Sequence, residues 1–365
     1  MKIHFNVLDK QFFRYQQQYE QKTLDVLRSG WYILGKEVAA FEEEFAAYVK
    51  SKHCVGLANG LDALWLSFRI LGIGPGDEVI VPANTYIASI MGVTINGITP
   101  VLVEPDAHYN IDVDKVVEKI TPQTKAVLSV NLYGQSCRMD KLREICDQHH
   151  LYLVEDCAQS HGSTFNGLST SSYADISCFS FYPSKNLGCF GDGGAITTNN
   201  EEIARLFRIY RNYGSEKRYY NMVVGTNSRL DELQAGLLRI KLTHLDELNA
   251  ERLKLANRYL TGIQNPYIRL PKVAEGASSA WHLFVVATDK RDNFAAYLSG
   301  EGIDTIVHYP IPPHLSEAYR SWGYHVGDFP ITENHANTIL SLPLYHGMAD
   351  DEQSYVIEKI NAYER

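Results

Sequence analysis

The chain has 365 residues, 45% of them hydrophobic, which is enough for a large core and for two domains. Its 34 basic and 43 acidic side chains give a formal net charge of -9 with no long run of one sign, which argues against nucleic acid and anionic membrane as partners. The N-terminal "MKIHFNVLDKQFFRYQQQYEQ" lacks the apolar stretch of a secretory signal, and no apolar run reaches the roughly 18 residues of a membrane helix, so a cytoplasmic protein is expected.

Short apolar runs alternate with helical patterns. "HCVGLA" (53–58) reads as a strand and "LDALWLSFRILGI" (61–73) as a helix. "EVIVP" (78–82) is a strand and "YIASIMGVTIN" (86–96) a helix. "PVLVEP" (100–105), "KAVLSVNL" (125–132), "LYLVED" (151–156), "ISCFSF" (176–181) and "GAITTN" (194–199) read as further strands. Near-continuous apolar strands alternating with helices predict an α/β fold with a mostly parallel central sheet covered by helices on both faces. From about residue 228 a long, bent helical stretch leads into "AWHLFVVAT" (280–288) as a strand and "RDNFAAYLSGEGI" (291–303) as a helix. The expected division is a large domain over 1–245 and a smaller C-terminal α+β domain over 246–365. Six scattered cysteines, at 54, 137, 146, 157, 178 and 189, form no CxxC pair and read as reduced, buried thiols.

In a parallel sheet, ligands bind outside the carboxyl ends of the strands. Three features stand there. Asp156, in "VEDCAQSHG", either caps a following helix or faces a ligand. Gly60 and Leu61, in "ANGLDALWL", open a helix whose free N–H groups and dipole suit a phosphate. Lys185, in "CFSFYPSKNLGCFGDGGAI", sits among aromatic and apolar neighbours; it either snorkels to the surface or is desolvated into a usable nucleophile. Taken together, a lysine amine, a carboxylate for a pyridinium nitrogen and a phosphate-binding helix start describe a site for pyridoxal 5′-phosphate (PLP). The small residues of "GDGG" would let backbone pass close to that site.

With these residues the chain resembles the sugar-nucleotide aminotransferases of the DegT group, which are fold-type-I PLP enzymes. The resemblance runs through "NGLDALWLSFRILGIGPGDEVIVPANTYIAS", "VNLYGQSCRMD", "VEDCAQSHG", "FSFYPSKNLGCFGDGGAITTN", "RNYGS", "NSRLDELQA" and "IVHYPIPPH". It implies that Lys185 is the Schiff-base lysine and proton shuttle, and that Asp156 binds the pyridine nitrogen. It places Gln159 by the ring hydroxyl and Tyr86 stacked on the ring. The amides of Gly60 and Leu61 and the Ser180 hydroxyl would hold the phosphate. Asn227 would reach the PLP phosphate of the neighbouring subunit, which implies a homodimer with shared sites. Leu61 stands where the family commonly has Thr, so only a backbone contact carries over there.

Two details narrow the substrate. "ANGLDAL" is similar to the form found in enzymes that aminate carbon 3 of the sugar. His161 and the "HYPIPPH" segment, with His308, Tyr309 and His314, resemble the same group. The implied reaction moves an amino group from L-glutamate to a dTDP-linked 3-keto-6-deoxyhexose, with the galacto product preferred. His161 either reads the hydroxyl pattern or packs under the ring. Arg229 either makes a salt bridge at a helix start or faces the site. His308 and His314 are separated by a proline-rich run that suits a site-lining loop better than a metal centre.

Rival functions are a 4-aminotransferase, a sugar dehydratase, a non-catalytic PLP-binding regulator and a nicotinamide enzyme. Lys185 argues against the dehydratase, since in the related 3-dehydratase histidine replaces the Schiff-base lysine. Retention of Lys185, Asp156 and Ser180, and the lack of a basic DNA-binding segment, argue against the regulator. No G-x-G-x-x-G follows the first strand, which disposes of the nicotinamide reading.

Overall fold

The computed structural model describes residues 1–364. The sheet at its centre has seven strands: β1 (His53–Leu57), β2 (Glu78–Pro82), β3 (Thr99–Val103), β4 (Thr124–Val130), β5 (Tyr152–Asp156), β6 (Ile176–Ser180) and β7 (Gly194–Thr198). Their order is β1-β7-β6-β5-β4-β2-β3. Every pairing is parallel except the two made by β7, which runs against β1 on one side and β6 on the other. The expected mostly parallel sheet is thus present. Each strand agrees with its sequence reading to within one or two residues.

The strands are apolar on both faces because both are covered. Val79 and Val81 of β2 face one cluster, with Leu64, Phe68 and Ile90 of the helices Gly60–Ile70 and Ile87–Thr94. Ile80 faces the opposite one, with Leu142, Ile145 and Cys146 of the helix Met139–His149. Alternation along one strand therefore feeds two cores.

Register sets up the site. Gly194 at the start of β7 pairs with Leu57 on one side and with Ser180 on the other, so the ends of β1 and β6 lie in one row. Asp156 pairs with Cys178 on the adjacent strand, so its carboxylate is close to the end of β6.

The long helical stretch is two helices, Glu232–Thr243 and Leu245–Gly262, broken at His244. Beyond it, β8 (Phe284–Ala287) and β9 (Ile339–Leu342) form an antiparallel pair. Val285, Ala287 and Ile339 pack into the core of the large sheet, and Phe284, Val286, Leu340 and Leu342 into a second core with Tyr259, Phe294 and Val356. Ile3 joins that second core and bridges to Ile303, so the start of the chain packs with its C-terminal part.

Three N-terminal helices, Asp9–Arg14, Gln16–Ser29 and Lys36–Tyr48, carry too thin an apolar stripe in the second for a sequence signal, with Tyr19 and Val26 its buried residues. The third begins on a long-range cap. The buried Glu232 carboxylate accepts the N–H groups of Gly35, Glu37 and Val38 at 2.8–2.9 Å. All six cysteines are buried and unpaired. Among the described residues, no helix is long and apolar enough to cross a membrane.

Candidate active site

A cavity of about 600 Å³ opens at the carboxyl ends of β1, β4, β5 and β6, where the strand rule places it. Gly60, Leu61, Tyr86, Asp156, Gln159, Ser180, Lys185, His308 and Tyr309 all line it.

At one wall the helix Gly60–Ile70 begins. Asn59 is its N-cap, in extended backbone, and its side chain accepts the Asp62 N–H at 2.8 Å. The first-turn amides of Gly60 and Leu61 have no acceptor within the helix and stand at the cavity with the positive end of the dipole. Two glycines make this approach possible. A Cβ on Gly60 would lie 2.7 Å from the Ser180 Cβ, and one on Gly194 would lie 2.4 Å from the Asn59 carbonyl carbon. "GDGG" therefore brings backbone against the helix start.

Asp156 is buried at the end of β5. No helix follows it, so the capping alternative fails. Its Oδ1 instead accepts the Ala158 N–H at 3.0 Å within a turn, and its Oδ2 accepts the Ser89 hydroxyl at 2.8 Å. Ser89 in turn lies 2.7 Å from the Thr85 hydroxyl. Burial pushes the carboxyl above the usual carboxylate range, while the Ala158 and Ser89 hydrogen bonds and the Lys185 charge pull it back. Lys185 follows β6 in a turn closed by its own N–H donating to the Tyr182 carbonyl at 2.8 Å. Burial pushes its amine down to about 8, against an opposing pull from Asp156.

The far wall comes from the C-terminal part. Gln159 accepts the Tyr133 N–H at 2.6 Å and donates to the Tyr309 hydroxyl at 3.0 Å. The Tyr309 ring lies 4.9 Å from that of Tyr86, which is half-exposed toward the cavity mouth. His308 Nδ1 is 2.8 Å from the Ser341 hydroxyl, and burial pushes the imidazole down to about 4, so it is neutral at pH 7.

Three expected residues, His161, His314 and Arg229, do not line this cavity, and neither does Asn227, which was expected at the partner's. His161 does not line the cavity. The turn after Asp156 packs its ring against Phe179 and Phe181, with centroids 5.7 and 5.8 Å away, and burial pushes it down to about 3. Its ring borders these phenylalanines and not the cavity, so it neither faces sugar hydroxyls nor packs under a ring bound there. His314 is buried off the cavity, with Nε2 3.1 Å from Glu333, because the proline-rich run carries the chain away after Tyr309. Arg229 does not line the cavity of its own chain and, among the described residues, makes no salt bridge. Its guanidinium donates to the Asn212 side chain at 3.0 Å and lies over the Tyr213 ring. Asn227 is exposed on the surface, away from its own chain's cavity.

Sequence reasoning passed over Ser89, His282 and Asp192, which line the cavity together with Thr85, just beyond the carboxyl end of β2. Thr85 stands two residues before the helix Ile87–Thr94 and Ser89 in its first turn, so no helical spacing pointed to the pair. His282 has no local signature; its Nδ1 is 3.2 Å from the Asn186 side chain.

A buried carboxylate, an amine near neutrality and a phosphate-sized cradle at a helix start fit PLP. Comparison with known proteins agrees. The chain belongs to the DegT/DnrJ/EryC1/StrS aminotransferase family, whose family model matches residues 14–361. Aminotransferases of this family are PLP-dependent, and this protein is a PLP-dependent aminotransferase of fold type I. It is 52% identical over 351 residues to dTDP-3-amino-3,6-dideoxy-alpha-D-galactopyranose transaminase of Aneurinibacillus thermoaerophilus, covering 96% of each chain. It is 48% identical to dTDP-3-amino-3,4,6-trideoxy-alpha-D-glucose transaminase of Streptomyces venezuelae, covering 93% of this chain and 90% of that one. The crystal structure of S. venezuelae DesV matches with a TM-score of 0.98 at 46% identity, over 100% of this chain and 99% of that one.

Proposed function

We propose that the protein transfers the amino group of L-glutamate to carbon 3 of a dTDP-linked 3-keto-6-deoxyhexose, giving a dTDP-3-amino-3,6-dideoxyhexose of galacto configuration for glycan assembly. The observation that carries the reaction type is the meeting of Lys185, Asp156 and the Gly60–Leu61 helix start in one cavity. The names of the 52% and 48% identical relatives support a 3-amino dTDP-sugar, and the first supports the galacto form.

PLP, when bound, supplies an electron sink conjugated to the substrate's reacting carbon. The chain's residues do the rest. Asp156, oriented by Ala158 and Ser89, would hold the pyridine nitrogen by charge. Gly60, Leu61 and Ser180 would hold the phosphate, and Tyr86 and Gln159, the latter fixed between Tyr133 and Tyr309, would position the ring. Lys185 would anchor the cofactor, and its Nζ would take and return a proton at the substrate carbon. Both substrates would use that amine as their base, with the transferred amino group kept on the cofactor between them, so glutamate would leave as its keto acid before the sugar reacts. The neutral imidazole of His308 and the Tyr309 hydroxyl border the mouth, where the sugar hydroxyls would be read. In a cytoplasmic homodimer, Asn227 would complete the phosphate site of the partner.

Purified protein, PLP and glutamate, offered the 3-keto and the 4-keto nucleotide sugar separately, test the reading by mass and by the position of the new amine in NMR. An amine at carbon 3 is expected. A site built around one hydroxyl pattern leaves polar groups unpaired on the other isomer and rejects it. Amination at carbon 4, with the 3-keto sugar untouched, would replace this reading with a 4-aminotransferase.

A further inference from the structure

Tyr133 follows β4 and touches neither Asp156 nor Lys185 by any hydrogen bond, yet four ties converge on it. Its N–H donates to Gln159 Oε1 at 2.6 Å, its carbonyl accepts the Leu283 N–H at 3.2 Å, its hydroxyl donates to the His308 carbonyl, and its ring meets Tyr109 edge-on at 5.5 Å. It is 7% exposed and its backbone is left-handed, with φ 61° and ψ 4°. Such a conformation costs a bulky residue of order 1–2 kcal/mol and persists where surrounding contacts over-determine it. Here the reversed φ aims the N–H at Gln159 while the side chain reaches the loop that carries His308 and Tyr309. That loop is otherwise hung from β9 by the His308–Ser341 contact and by the bridge of Ile306 to Ser341.

We propose that Tyr133 is a positioning residue that holds the His308–Tyr309 segment at the cavity mouth in register with Gln159, and so sets the affinity for the acceptor sugar. Gln159 and Tyr309 are already joined, so one residue fixes both ends of that pair: the amide through its backbone, and the tyrosine through the preceding carbonyl. The mouth, rather than the cofactor cradle, is what the hydroxyl controls. The larger acceptor depends on the mouth more than glutamate does. The acceptor half of this inference rests on the 3-keto-sugar reading above; the positioning half does not.

Tyr133→Phe keeps the ring, the burial and the backbone and removes the one bond to His308. In the holoenzyme, hydrogen exchange of the amides in 306–311 is expected to speed up about tenfold, while those of Thr124–Val130 stay unchanged. The KM for the 3-keto nucleotide sugar should rise about three- to tenfold, with kcat and the KM for glutamate within about twofold. Unchanged exchange in 306–311 would overturn the proposal, and so would a fall in kcat with the acceptor KM unchanged. If the wild type does not aminate the 3-keto sugar, the functional reading falls and the exchange result alone decides the role of Tyr133.

Discussion

The amine of Lys185 is the quantity on which the site's chemistry turns. Burial takes it from 10.5 to about 8, and the charge of Asp156 opposes that fall. At pH 7 about a tenth of the molecules carry a neutral amine, against about 0.03% for an ordinary lysine, a gain of about 300-fold in the nucleophilic form. Asp156→Asn keeps the shape and can still accept from Ala158, but it removes the charge that holds the amine up. The Lys185 midpoint should therefore fall below the wild-type value of about 8. Reductive methylation of the apo-protein across a pH series, quantified at Lys185 by mass spectrometry, measures both midpoints. A wild-type midpoint near 10.5 would refute the desolvated amine. A midpoint in the Asn variant that stays or rises would refute a charged Asp156 facing it. The same shift makes stability depend on pH. Folding depresses this pKa, so between about pH 8 and 10.5 the unfolded chain holds a proton at Lys185 that the native apo-protein lacks, and the contribution of Lys185 to stability rises with pH across that window, opposed by the buried cysteines, whose thiols burial pushes up.

Gly60→Ala places a Cβ 2.7 Å from the Ser180 Cβ and 3.1 Å from its Cα, so backbone must move; a cost of about 1–3 kcal/mol, a lower Tm and a PLP Kd raised at least tenfold are expected by calorimetry and absorbance titration. Retained PLP affinity would show that these amides do not meet the phosphate. Subunits carrying Lys185→Ala, mixed with subunits carrying Asn227→Ala, should recover activity on exchange, because one site of the hybrid has both residues intact. No recovery after verified exchange would count against a shared site.

The sheet was legible in the chain because strands buried on both faces are near-continuous apolar runs, as at 79–82 and 126–128, alternating with helical patterns. Asp156, Lys185 and Gly60 were legible because each stands where such a run stops, with a side chain or a bare backbone suited to one part of a phosphorylated pyridine. The resemblance to a family supplied the roles of Ser180, Gln159, Tyr86 and Asn227. The direction of β7 was not legible: an apolar pentapeptide looks the same in either sense, and the turn across 181–193 sets it. Ser89 was hidden because it lies 67 residues from the carboxylate it serves, and strand order alone brings them together. His161 and His314 show the converse limit. A histidine's polarity is written in the chain, but the direction of its ring is not; the turn after Asp156 sends His161 among phenylalanines, and the prolines after Tyr309 send His314 to Phe329 and Glu333, both away from the cavity. Local sequence thus set which chemistry is present. Which groups share a cavity was decided by packing between elements far apart in the chain, because hydrogen-bond geometry is satisfied across space and not along sequence.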